Sequence, residues 1–281
     1  MSIVVVTGGS GFIGRSCVRH LRKMGVYVLV AGRQKDADIY CDLNRPDSVI
    51  GLQEVQDIYT IVHLGAFVGW SGASLDEMYA PNVLATALIA ELARSKGAFL
   101  IFSSAAIVSG LHSQEISNNS PLSLDTPYGQ AKAMAEACIE ASSANACTLR
   151  IGGVFGLNGP QHLGLNRAIS QALAGKPPEL YGTGSGCRNY IYVNDLAHII
   201  ANTIQQRKTG IHCVGGPETL SINEMINSVC ETFGIVSGPI KKDGDSSRSQ
   251  VIRSSPDFTG QTSFSSSLKK IRLDATGGQS N

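Results

Sequence analysis

Residues 4–15 read VVVTGGSGFIGR, an apolar β-branched run that breaks into glycines and resumes as an amphipathic segment. Gly8, Gly11 and Gly14 recur at a spacing of three, at the end of the first predicted strand. A glycine loop between strand and helix lets backbone N–H groups come close to an anion, and the helix N-terminus adds positive potential there. Each glycine has a task in such a loop: an unusual turn, room for phosphate, and close packing of helix on strand.

Outward from this loop, short β-branched runs alternate with helical patterns. Strands are predicted from Ile3 (IVVVTG), Val26 (VYVLVAG), Ile58 (IYTIVHLG), Ala98 (AFLIFSS) and Cys147 (CTLRIGG), and helical period occupies 12–24 and 75–95. Continuous apolar strands separated by helices describe a parallel sheet covered on both faces. Right-handed crossovers then make a doubly wound α/β fold the economical topology. No internal repeat is visible. After Gly153 the chain is rich in Gly and Pro, which places loops over one end of the sheet. Two further helices follow at 193–204 and 220–234, the second opened by Ser221 with Glu224 three residues on. The expected division is 1–152 plus 189–206 for the sheet domain, with 153–188 plus 207–281 as a smaller C-terminal region over it. The polar tail 263–281 is expected to be partly disordered.

The chain has 281 residues, 43% hydrophobic and 16% charged, enough to bury a real core. A net charge of +1 argues against nucleic-acid binding by bulk electrostatics. Seven scattered cysteines, with no C-x-x-C, read as reduced thiols with no disulfide framework and no metal site. No signal peptide and no stretch of about 20 apolar residues is seen, so a cytoplasmic protein with no membrane partner is expected.

Seven motifs occur in order: TGGSGFIG (7–14), CDL (41–43), VHLGA (62–66), YAPNVLAT (79–86), YGQAK (128–132), LRIGGVFG (149–156) and RNYIYVNDLA (188–197). Together they resemble the extended short-chain dehydrogenase/reductase family, the NAD(P)-dependent nucleotide-sugar epimerase/dehydratase group, over nearly the whole chain. The resemblance implies a Rossmann sheet with a substrate-binding C-terminal part. It implies that Gly8, Ser10, Gly11, Phe12, Ile13, Gly14, Arg33, Asp42, Leu43, Leu64, Gly65, Ala66 and Asn82, with Tyr128 and Lys132, hold a dinucleotide. At the end of the second strand an acid bonds the ribose of NAD, whereas a base accommodates the 2′-phosphate of NADP. Here that place reads Gly32-Arg33, with Lys35 next and Arg15 near, so NADP is expected in preference to NAD. Asp36 keeps NAD open.

Tyr128 and Lys132 stand four apart on a predicted helix and share a face. A unit charge ~4 Å from a phenol is worth about 4 kcal/mol at an effective dielectric of 20. That lowers its pKa by up to ~3 units, toward neutrality. The family's third member is a Ser or Thr at the end of the preceding strand. Counting from the strand gives Ser104; counting back from Gly110 gives Ala105. The strand count is preferred, so Tyr128, Lys132 and Ser104 form the expected catalytic set, with Tyr128 and Ser104 also touching substrate.

Related 4,6-dehydratases carry an Asp-Glu pair directly after the hydroxyl residue. Ala105 and Ala106 stand there, so dehydration is not expected. Redox at one sugar carbon remains: a nucleotide-sugar 4-ketoreductase, favoured by Arg33, or a 4-epimerase with retained NAD. A non-catalytic dinucleotide sensor is the alternative of another class. Arg188 is expected to grip the nucleotide diphosphate, with Arg253 a second contact of poor alignment. Trp70 and Tyr79 suit core packing better than a sugar pocket, and Asn194-Asp195 suits a helix cap. Pairing of 75–95 with 128–142 into a homodimer rests on the resemblance.

Overall fold

The computed structural model describes residues 3–69, 72–245 and 247–277. The glycine-rich opening folds as strand β1 (Ile3–Thr7) and helix α1 (Phe12–Lys23), followed by β2 (Tyr27–Gly32), β3 (Ile39–Tyr40) and β4 (Ile58–His63). The predicted helix 75–95 is interrupted. A four-residue α2 (Leu75–Met78) leads into a π-helical turn at Tyr79–Leu84 and then α3 (Ala85–Lys96). Pro81 lies inside that turn and has no N–H to donate, so the regular ladder is broken there.

Strand β5 (Phe99–Ala105), the short β6 (Glu115–Ser117), α4 (Pro127–Ser142) and β7 (Ala146–Ile151) complete the first half. The second half contains β8 (Val154–Phe155), α5 (Gly164–Leu173), β9 (Glu179–Tyr181), β10 (Cys187–Arg188), β11 (Ile191–Tyr192), α6 (Val193–Gln206) and β12 (Gly210–Val214). It closes with β13 (Leu220–Ser221), α7 (Ile222–Phe233), β14 (Ile240–Lys242), β15 (Val251–Arg253) and α8 (Phe264–Gly277).

Seven strands form one sheet in the order β12-β7-β5-β4-β1-β2-β3, every neighbouring pair parallel. The period-2 alternation of strands explains why the runs are apolar throughout. Val4, Val6, Phe99 and Ile101 face a core shared with Leu21 of α1 and Leu196 and Ile200 of α6. Val5, Leu100 and Phe102 face the opposite core, against Ile89 of α3 and Ile139 of α4. Both faces are dry, as a parallel sheet requires.

Two boundaries differ from the sequence expectation. β12 adds to the main sheet beside β7, so the sheet domain reclaims Gly210–Val214 from the region assigned to 207–281. The tail is ordered through Gly277: Phe264, Leu268 and Ile271 of α8 are buried in the first core, a helical period that the polar residues between them concealed. Residues 278–281 lie outside the described residues. The Ser221 cap is present as a reciprocal capping box with Glu224. Asn194 and Asp195 do not cap α6. Asn194 accepts from Ser16 of α1, and Asp195 accepts from the backbone N–H groups of Gln261 and Thr262, so they fasten α6 to its neighbours.

Candidate active site

The sheet order reverses between β1 and β4, and the loops after these strands meet at that crevice. Gly8 has φ +68°, and a Cβ there would stand 2.6 Å from the Gly65 nitrogen. A Cβ on Gly14 would stand 2.1 Å from the Gly8 carbonyl oxygen, so Gly14 lets α1 press onto the loop. Gly11 is different. Its φ is −73°, open to any residue, and its Cβ would meet only the Gly8 oxygen, at 3.1 Å. The space it leaves belongs to the crevice, at the start of a helix with no acidic residue in its first turn. The first N–H groups of that helix have no intrahelical acceptor, which suits an anion.

Two cavities meet over this loop and share Gly8, Gly11, Leu64 and Ala66. The first, about 280 Å³, is lined by Ser10, Arg33, Gln34, Asp42, Leu43 and Gly65. Arg33 is 61% exposed, with Nε 3.9 Å from the Asp42 carboxylate. Asp36 and Arg15 face a neighbouring hollow instead, and Arg15 donates to the Ser10 carbonyl at 2.6 Å. Asp38 is turned back to accept from the Val30 N–H. Asp42 is therefore the acid that borders this lobe, with Arg33 over it.

The second cavity, about 410 Å³, is lined by Phe12, Ile13, Gly14, residues 103–107, Tyr128 and residues 151–154. Its floor is the loop after β4, held by Asn82, whose amide accepts from the Phe67 N–H and donates to the Phe67 carbonyl, both at 2.7 Å. Asn82 lines neither cavity and acts by clamping that loop. His63 is likewise structural. Buried between Thr7 and Thr86, it is pushed down to a pKa of about 3, by burial first and by Lys132 second.

Thr126 and Pro127 open α4: the Thr126 hydroxyl accepts from the Gly129 N–H, and Tyr128 falls in the first turn, at the cavity wall. Lys132, one turn on, is 1% exposed. Its ammonium donates to the Ser103 carbonyl at 2.7 Å, lies 4.6 Å from the Phe102 ring centroid and 5.8 Å from that of Tyr128. The expected fall in the Tyr128 pKa does not occur here. Burial pushes the phenol up, and the same desolvation pushes Lys132 down to about 7, with Glu136 opposing. Desolvation outweighs the Coulomb gain because both groups leave water together. The resting phenol is held protonated.

Ser104 needs correction. Its hydroxyl donates to Glu136 Oε1 at 2.5 Å, and Glu136 is paired through both oxygens with Arg150. Ser104 borders the cavity, but its hydroxyl is committed to this buried pair. Ala105, next along the strand and on the other side of the pleat, also borders the cavity and brings no hydroxyl. The strand count carries no information on which group each hydroxyl bonds.

A third cavity, about 210 Å³, lies in the C-terminal region and is lined by Arg167, Tyr181, Arg188, Tyr190, Met225 and Asp245. Arg188 stands where the sequence expects a substrate contact, although its guanidinium also donates to the Cys187 and Arg248 carbonyls. Arg253 is not brought to the site: it pairs with Glu115 at 2.9 Å on the surface. Tyr79, expected in the core, is exposed and lines none of the three cavities, and Trp70 lies outside the described residues. Sequence reading missed Val68, Pro160, His162 and Gln250, which line the second cavity from distant loops. Among the described residues there is no cluster of three metal-ligating side chains and no helix long and apolar enough to cross a membrane.

The two joined lobes fit an extended dinucleotide: Arg33, Asp42 and Leu43 at one end, the glycine loop in the middle, Phe12, Ile13 and Tyr128 at the other. Comparison with known proteins gives the family. A family model described as the NAD dependent epimerase/dehydratase family matches residues 4–218. The chain is 29% identical over 284 residues to a UDP-glucose 4-epimerase of Neisseria meningitidis serogroup C, covering 84% of each chain. It is similar to the structure of UDP-N-acetylglucosamine 4-epimerase from Bacillus cereus, with TM-score 0.87 and 21% identity over 99% of this chain and 100% of that one. It is also similar to MoeE5 in complex with UDP-glucose and NAD, with TM-score 0.81 and 25% identity over 100% of both chains. The chain belongs to the NAD dependent epimerase/dehydratase family and is an enzyme of the extended short-chain dehydrogenase/reductase type.

Proposed function

We propose that this enzyme is a nucleotide-sugar 4-ketoreductase that uses NADPH. The observation that carries the reading is the Tyr128 phenol, held protonated at the wall of a cavity continuous with the glycine loop, with Lys132 beneath it. A bound reduced nicotinamide supplies the hydride. Tyr128 gives its proton to the carbonyl oxygen, so that the C=O of the sugar becomes CH–OH, and the charged form of Lys132 steadies the phenolate left behind. Arg33 pairs with the 2′-phosphate, where NAD-specific relatives need an acid. Arg188, with Tyr181 and Tyr190, takes the nucleotide end of the substrate. Among the described residues no Asp or Glu lines the cavity: Ala105 and Ala106 follow Ser104, and Ala106 and Ile107 follow Ala105, which supports simple redox over dehydration.

A second reading, 4-epimerisation with retained NAD, is favoured by the UDP-glucose 4-epimerase relative. Retention of both Tyr128 and Lys132 counts against a sensor without turnover. A homodimer through α3 and α4 belongs to the same proposal, since Leu84, Leu88 and Met134 are exposed on that side. The test is to give the protein NADPH with a 4-keto nucleotide sugar, and separately NAD with UDP-glucose, following absorbance at 340 nm and the sugar products. Loss of absorbance with the keto sugar supports the reductase. Sugar interconversion without net cofactor change supports the epimerase and overturns the first reading.

A further inference from the structure

Ser104 and Arg150 are register partners on the adjacent strands β5 and β7, and their side chains meet the Glu136 carboxylate of α4. The ion pair is 7% and 8% exposed. Such a buried pair is poor value for stability alone, because apolar residues of like volume serve as well or better. Its location supplies a reason. Glu136 lies one turn beyond Lys132 on the same helix, and Lys132 is bonded to the carbonyl of Ser103, next to Ser104. Among the described residues, the remaining surroundings of the Lys132 ammonium bring no counter-charge. His63 on β4 is neutral, Phe102 on β5 offers only its ring face, and Tyr128 on α4 is protonated. Arg150, on β7, is a cation bonded to Glu136, and Cys213 on β12 is a protonated thiol.

We propose that Glu136, fixed by Arg150 and Ser104, is a positioning residue that keeps the Lys132 ammonium charged beneath Tyr128. Ser104 is thereby an anchor of this carboxylate and not a partner of the reacting oxygen. Burial acts the other way, which is why Lys132 sits near neutrality and is open to control by one carboxylate.

This proposal rests on the assigned Tyr128–Lys132 pair, but its test needs no substrate. Protein labelled with 13C-lysine is titrated by NMR, the buried resonance being identified by its loss in Lys132→Arg. In Glu136→Gln the Lys132 midpoint is expected to fall, by about one pH unit at most, since Glu136 stands one helical turn away and is itself paired with Arg150. Glu136→Asp is expected to restore it at least in part. Should Glu136→Gln fail to fold with Arg150 unpaired, the double variant Glu136→Gln/Arg150→Met removes both charges, and it too is expected to lower the midpoint. A folded variant of either kind with an unmoved Lys132 midpoint, whatever its melting temperature, overturns the proposal. Lack of turnover on nucleotide sugars would sink the functional reading and leave this result intact.

Discussion

The Lys132 ammonium lies 5.8 Å from the centre of the Tyr128 ring, one helical turn below it; the ammonium is buried and Tyr128 is half-buried at the cavity wall. The pair is thus set for giving a proton up rather than for holding a phenolate at rest. Tyr128→Phe keeps the ring and removes the proton. Turnover is expected to fall by about 10²-fold or more, while cofactor affinity measured by fluorescence titration stays within a few-fold. A fully active variant would remove Tyr128 from the chemistry.

The depressed Lys132 pKa makes stability depend on pH, with a definite sign. Folded Lys132 loses its proton near pH 7, whereas in the unfolded chain it keeps it to about 10.5. Between these values the unfolded state binds more protons, so stability rises with pH. Above about pH 9 the buried thiols oppose this, since Cys17 and Cys147 are pushed up to about 12 and stay protonated only when folded. The melting temperature is therefore expected to climb from pH 7 to about 8.5, and the climb should flatten in Lys132→Met. An equal slope in the variant would contradict the buried ammonium.

Two glycines of one loop should fail in different ways. In Gly14→Ala the new Cβ meets backbone at 2.1 Å, so the variant should lose several kcal/mol of stability or not fold at all. Gly11→Ala meets only one atom, at 3.1 Å, and should fold with nearly the wild-type melting temperature. Its loss should appear in dinucleotide binding, because the methyl enters the space the phosphates need. Calorimetry and cofactor titration on both variants separate the two outcomes.

Arg33 lines the lobe beside Asp42, and the proposed use of NADPH gives it a 2′-phosphate to bond. A hydrogen bond to a charged group contributes about 1.5–3 kcal/mol, or roughly a 10- to 100-fold change in affinity. Arg33→Ala should weaken NADPH by that factor and leave NADH nearly unchanged. Equal effects on both would return the preference to NAD.

Much of this was legible in the residues. Two-sided burial made the strands continuous apolar runs, and the glycine spacing located the crevice. Tyr128 and Lys132 were placed by helical period. What was not legible depends on which way a side chain faces. Ser104 and Ala105 differ by one step along β5 and both line the cavity, yet the Ser104 hydroxyl is bonded to Glu136 and Ala105 brings none. Arg253 sits near the right motif but pairs with Glu115 on the surface, and Tyr79, expected in the core, is exposed. Lining from His162 and Gln250 arises where distant loops converge, which no local spacing records. The Tyr128 pKa was misjudged because sequence supplies the neighbouring charge but not the depth of burial, and burial dominates.

The proposed hydride transfer to the sugar can be followed atom by atom. The protein is mixed with NADPH carrying deuterium at the transferable position and a 4-keto nucleotide sugar, and the product is analysed by mass spectrometry and NMR. One deuterium at the former carbonyl carbon, with matching loss of absorbance at 340 nm, is the expected result. Tight NADPH binding with no deuterium in the sugar and no absorbance change would contradict it.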